Sequence, residues 1–117
     1  MSITIASRKQ KARKLQQKVR DRLLLETKDL GLVEGDIVST PLGVTGVDVQ
    51  LSPSAKKIIP FNIECKATQN LNIWSALRQA EANTDDNRIT LVVFKRNNSE
   101  TYATLKFDDL MKLFFKK

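Results

Sequence analysis

Phe61-Asn62-Ile63-Glu64-Cys65-Lys66 alternates apolar and polar side chains without a break. In a strand such residues fall on opposite faces, so Phe61, Ile63 and Cys65 share one and Asn62, Glu64 and Lys66 the other. The spacing predicts a strand over 58–66, and the rest of the fold is read outward from it. On the N-terminal side, Val47, Val49 and Leu51 alternate with Asp48 and Gln50, which predicts a second strand, and 36–40 is a short β-branched third. Residues 41–46 and 52–57, each with a proline, are predicted as turns. Further back, Ala12, Leu15, Val19, Leu23 and Leu30 recur at helical spacing in a stretch free of Gly and Pro, which predicts one amphipathic helix over 7–30 ended by Gly31. On the C-terminal side, Leu71, Trp74, Leu77 and Ala80 return to a helical period, so a second helix is expected over 71–84 with Trp74 in the core. Ile89–Lys95 is a nearly continuous apolar run, the pattern of a strand buried on both faces. Asn97-Asn98 is a turn, 101–105 an edge strand, and 107–115 a terminal helix with Asp108 and Asp109 in its first turn. The expected order is helix, three strands, helix, one or two strands, helix.

A chain of 117 residues has room for one domain, here 1–117 with 1–7 as a flexible arm. The single cysteine leaves no partner for an intramolecular disulfide, and no apolar run approaches the about 18 residues of a membrane span; a cytoplasmic protein is expected. There is no histidine, which removes Ser-His-Asp and Cys-His catalysis, HExxH zinc sites and every nuclease whose base is histidine. The four glycines form neither a Walker A loop nor GxGxxG, so no nucleotide cofactor is expected. What remains is carboxylate, lysine, hydroxyl and amide chemistry, amplified by an oxygen-liganded metal.

The net charge of +7 points to a polyanionic partner. The excess is local. Residues 8–20 hold seven bases (Arg8, Lys9, Lys11, Arg13, Lys14, Lys18, Arg20) and no acid, whereas residues beyond 30 hold eleven bases against ten acids. The basic helix is therefore the expected nucleic-acid-binding element, with a broad positive face that can touch phosphates.

Glu64 and Lys66, two apart on a strand, project side by side. If the strand carrying Asp48 is their neighbour, two carboxylates meet and repel unless a cation lies between them. Hard oxygen ligands completed by water suit Mg²⁺ or Mn²⁺, and Lys66 then stands near the bound water.

Gly46-Val47-Asp48 followed by Ile63-Glu64-Cys65-Lys66 resembles the signature of the PD-(D/E)XK nuclease superfamily, over a span from about Arg13 to Leu105. Within it, Thr45-Gly46-Val47-Asp48 is similar to the small archaeal Holliday-junction resolvases and to bacteriophage-encoded nucleases. The phage group is the nearer, through Leu15-Gln16-Gln17, the segment 51–55 and Leu71-Asn72-Ile73-Trp74. The resemblance implies an α/β, restriction-endonuclease-like core, helix–three strands–helix–strand, with a central mixed sheet flanked by helices. It also implies a Mg²⁺-dependent endonuclease acting on phosphodiester bonds in DNA, selective for junctions or branches, and a homodimer matched to two symmetric scissile phosphates. Asp48, Glu64 and Lys66 become the catalytic residues. Asp48, Glu64 and the backbone carbonyl of Cys65 become the metal ligands, Gln79 faces the site and Arg78 contacts a phosphate. Two departures stand out: Val47 replaces the proline, and Gln16, beside Gln17, occupies the place of a metal-binding glutamate on the first helix, with Glu26 as a substitute. The neutral Gln16 keeps a second expectation in view, a non-catalytic nucleic-acid-binding module that uses the basic helix.

Overall fold

A computed structural model describes residues 5–41, 43, 44, 46–84 and 87–116. Four helices and five strands are described, in the order α1 (Ile5–Thr27), β1 (Ile37–Ser39), β2 (Val49–Leu51), α2 (Pro53–Lys56), β3 (Phe61–Ala67), α3 (Ile73–Ala82), β4 (Ile89–Lys95), β5 (Tyr102–Thr104) and α4 (Phe107–Phe114). The architecture is α/β. α1 already includes Ile5–Ser7, so the arm expected over 1–7 is helical from Ile5 onward, and 1–4 lie outside the described residues.

Near its C-terminus α1 gives way to a 3₁₀ turn over Lys28–Leu30. The Thr27 hydroxyl donates back to the Leu23 carbonyl (2.6 Å), a bond that competes with the helix ladder, and Gly31 takes the left-handed conformation (φ 88°) that closes the turn. Leu30, expected on the apolar stripe, lies past this break and is exposed. Residues 52–57 are not a plain turn: the Ser52 hydroxyl accepts from the Ala55 N–H (3.1 Å), and with Pro53 in the first helical turn it nucleates α2.

β3 and β4 pair in parallel, Glu64 opposite Val92, and β5 adds antiparallel to β4. β1 and β2 form a separate antiparallel ribbon, Ile37 opposite Leu51 and Ser39 opposite Val49. In place of one central sheet there is a mixed three-stranded sheet and a two-stranded ribbon. The two meet where the Asp48 N–H donates to the Ile63 carbonyl (3.1 Å), after which β2 diverges from β3.

α1 covers one face of the sheet, where Leu15, Ile37, Ile63, Cys65 and Val93 form the main core. α3 covers the other through Ala76 and Ala80 against Val92. The buried seam of α3 is Ile73, Ala76, Leu77 and Ala80, spaced i, i+3, i+4, i+7. The expected stripe through Trp74 is displaced from that seam, and Trp74 is 72% exposed. Two alanines let the helix approach the sheet closely, and an indole would hold it away.

Candidate functional site

Gly46 has φ 111°, a conformation that side chains rarely adopt, and it turns the chain just ahead of Val47 and Asp48. Asp48 follows at the fork between ribbon and sheet. Its backbone N–H bonds to Ile63, while its Oδ2 accepts the Cys65 N–H at 2.6 Å. The carboxylate thus continues the ladder of β3 where the backbone of β2 leaves it. A strand residue projects its N–H and C=O toward the same edge, so the Cys65 carbonyl lies on the edge that holds Asp48.

Glu64 and Lys66 share the face of β3 beneath α3. Gln79 and Asn83 stand one helical turn apart above them. A four-residue helical step rises about 6 Å and a two-residue strand step about 6.6 Å, so the two pairs are matched in pitch. The Lys66 ammonium donates to the Gln79 Oε1 (3.1 Å), and the Asn83 Nδ2 donates to the Glu64 Oε1 (3.1 Å). A cavity of about 290 Å³, lined by Gly46, Val47, Gln50, Lys56, Asn62 and Asn83 among others, reaches this group at Asn83; Asp48, Glu64, Lys66 and Gln79 are not in its lining.

Glu64 is only 6% exposed. Burial raises its pKa from 4.5 to about 7, and the Asp48 charge and a hydrogen bond with Asp48 add to the rise; the Asn83 bond and the Lys66 charge oppose it. Two facing carboxyls with too little positive charge between them retain a proton near neutral pH. The same burial pushes the Cys65 thiol far above its ordinary range, so Cys65 is an inert core residue.

The donor set would suit a hard cation such as Mg²⁺: the carboxylates of Asp48 and Glu64 and the Cys65 carbonyl on the same edge are all oxygen donors. Among the described residues no group of three or more His, Cys, Asp or Glu side chains could hold a metal. Gln16, the expected third position, is 5% exposed, and its Oε1 accepts from the Ser39 hydroxyl at 3.0 Å. Ser39 pairs with Val49, next to Asp48, so Gln16 adjoins the site through the ribbon ladder. Glu26 pairs with Arg22 one turn away (2.9 Å) on the exposed side of α1.

The bases divide. Arg8, Lys9, Arg13, Lys14 and Lys18 are exposed on α1 and Lys11 is half-buried there. Arg20 instead bonds the Ile37 carbonyl (3.2 Å) and Asp21 (2.8 Å), which ties α1 to β1. Arg78 is exposed and donates to the Ser75 hydroxyl (3.3 Å). Asn83 was missed by sequence reasoning because an asparagine ending a helix already has a local explanation as a cap. No helix among the described residues is long and apolar enough to cross a membrane. Comparison with protein families, with curated proteins and with solved structures finds no match for this chain.

Proposed function

We propose that the chain is a metal-dependent deoxyribonuclease of the PD-(D/E)XK kind that hydrolyses phosphodiester bonds. The observation that carries this reading is the pair of facing carboxyls, Asp48 at the fork and Glu64 on β3, with the Lys66 ammonium two residues further along the same face. Asp48, Glu64 and the Cys65 carbonyl would hold Mg²⁺ or Mn²⁺. When bound, such an ion lowers the pKa of its water and stabilises charge on a phosphate oxygen. The chain's own residues prepare that event. The Cys65 N–H fixes one oxygen of Asp48, Asn83 orients Glu64, and Gln79 holds the Lys66 ammonium where a phosphate oxygen or an attacking water can meet it.

The substrate proposed is junction or branched DNA cut by a homodimer. Support for the dimer comes from α4, where Phe107, Phe114 and the following Phe115 are 71%, 75% and 67% exposed. Asp108 and Asp109 lie at one end of α4, with Lys112 and Lys116 at or beyond the other. Two copies packed antiparallel about a twofold axis would set acids against bases. Light scattering of the parent and of Phe114→Glu tests this, with a dimer expected for the parent and a monomer for the variant.

The second reading, a non-catalytic nucleic-acid-binding module, is favoured by one observation, the neutral Gln16 engaged with Ser39. Single-turnover cleavage of labelled DNA in Mg²⁺ and in Mn²⁺ separates the two. Cleavage lost in Lys66→Ala supports the nuclease; binding without cleavage by the parent leaves the module.

A further inference from the structure

Arg8, Lys11, Lys14 and Lys18 are spaced three, three and four residues apart, so they form one stripe along α1. That stripe faces the segments that leave the C-terminal ends of the parallel strands β3 and β4, the edge where open α/β sheets bind ligands. Three clefts follow this edge. The first, of about 150 Å³, lies between α1 and Lys95-Arg96; the second, of about 340 Å³, adjoins Thr68, Gln69 and Asn70. The third, of about 360 Å³, continues to Phe94 and Tyr102. Lys11, Ala67 and Asn97 border both the first and the second, and Thr68 and Gln69 border both the second and the third. The clefts therefore form one groove.

Six bases line it (Arg8, Lys11, Lys14, Lys18, Lys95, Arg96) and no acid does. None of the six is in an ion pair among the described residues. The rim is braced: the Asn97 N–H donates to the Gln69 Oε1 (3.0 Å) and the Arg96 N–H to the Ser99 hydroxyl (3.0 Å). At the far end Tyr102, 58% exposed, stacks on Phe94 with centroids 6.1 Å apart. A row of unneutralised cations that ends on an exposed aromatic ring is the arrangement that tracks a backbone and stacks a base.

We infer that this groove binds an unpaired DNA strand, its phosphates on the six bases and a base on Tyr102. The inference deepens the nuclease reading and rests on it for the role of the strand, an unpaired arm beside the bond to be cut. Ala67, which lines the groove, directly follows Lys66, so the groove begins at the strand end where the candidate site stops.

The test is fluorescence anisotropy of a labelled oligothymidine and of a blunt duplex, without divalent ions, over a series of salt concentrations. Tyr102→Ala is expected to weaken oligothymidine binding about 5- to 100-fold, leave duplex binding unchanged, and be rescued by Tyr102→Phe. Lys95→Ala/Arg96→Ala is expected to flatten the oligothymidine salt slope by about 0.7 for each phosphate no longer neutralised, and Lys56→Ala/Lys57→Ala to leave it unchanged. Equal losses for both DNAs in every variant, or no loss in Tyr102→Ala, overturn the inference. Cleavage of duplex and branched DNA by the parent in Mg²⁺ is scored separately. Groove-dependent binding without cleavage keeps the groove and removes the nuclease, and cleavage with groove-independent binding does the reverse.

Discussion

The two faces of β3 are buried to the same degree and are chemically opposite. Under α1, Ile63 and Cys65 are 1% and 4% exposed and pack on Leu15 and Val93. Under α3, Asn62 and Glu64 are 8% and 6% exposed. Burial on the first face removes apolar surface from water and stabilises the fold. Burial on the second strips a carboxyl of solvent and is offset only in part, by Asn83 and Lys66. One strand thus carries a stabilising face and a destabilised one.

The largest effects expected should separate the faces by kind. Lys66→Ala is expected to lower cleavage by about 10³-fold or more while thermal stability and Mn²⁺ affinity by calorimetry stay near the parent's. Asp48→Ala and Glu64→Ala should both lose Mn²⁺ affinity. Unchanged affinity in both would remove the assignment of the metal ligands. On the other face Ile63→Ala should cost about 2–5 kcal/mol in urea denaturation, and the fraction that remains folded should still bind Mn²⁺. A loss of metal binding out of proportion to unfolding would show that the two faces are not separable.

A smaller effect concerns pH. Glu64 has a folded pKa of about 7 against 4.5 for the free side chain. A raised carboxyl contributes stability that is fully present below about pH 4.5 and lost as pH rises through 7. Without metal, this group alone makes the protein about 1–3 kcal/mol less stable at pH 8 than at pH 4.5. Glu64→Gln should abolish that slope and be the more stable protein at pH 8. Because the ion competes with the proton, Mn²⁺ affinity should rise with pH up to about 7 and then level. A Glu64→Gln protein with the parent's pH profile would refute the strained-carboxyl account.

The smallest expected effect tests how the basic helix is divided. Arg20→Ala should cost about 1 kcal/mol of stability, because its bond to Ile37 is removed, and leave the salt dependence of DNA binding as it was. The quadruple variant of Arg8, Lys9, Lys11 and Arg13 to alanine should flatten that dependence with little change in stability. A flattened salt dependence in Arg20→Ala would return Arg20 to the proposed DNA-binding surface, and an unchanged one in the quadruple variant would remove the start of α1 from it.

Much of the fold is local and was legible. The span of β4, the alternation in β3 and the left-handed turn at Gly31 depend on a period of 2 and on one positive φ, which neighbouring residues encode, although α1 itself already ends at Thr27. Strand parity likewise put Glu64 beside Lys66, but Asp48 meets Glu64 from the fork between ribbon and sheet and not from a neighbouring strand of one sheet.

Other features belong to the tertiary structure alone. The polar face of β3 became an interior because α3 lies over it, and from that follow the pKa of Glu64 and the partnership with Asn83, 19 residues away. The seam of α3 runs through alanines, which a scale of hydrophobicity ranks below tryptophan but which alone allow close approach to β4. Arg88 donates to the Ile59 and Phe61 carbonyls and to Asn62 and braces the start of β3 from more than 25 residues away in sequence. Lys95 and Arg96 join the α1 stripe although about 80 residues separate them in sequence. Backbone conformation is decided by near neighbours and so can be read along the chain, whereas burial and electrostatic environment are decided by whichever distant element packs on a face.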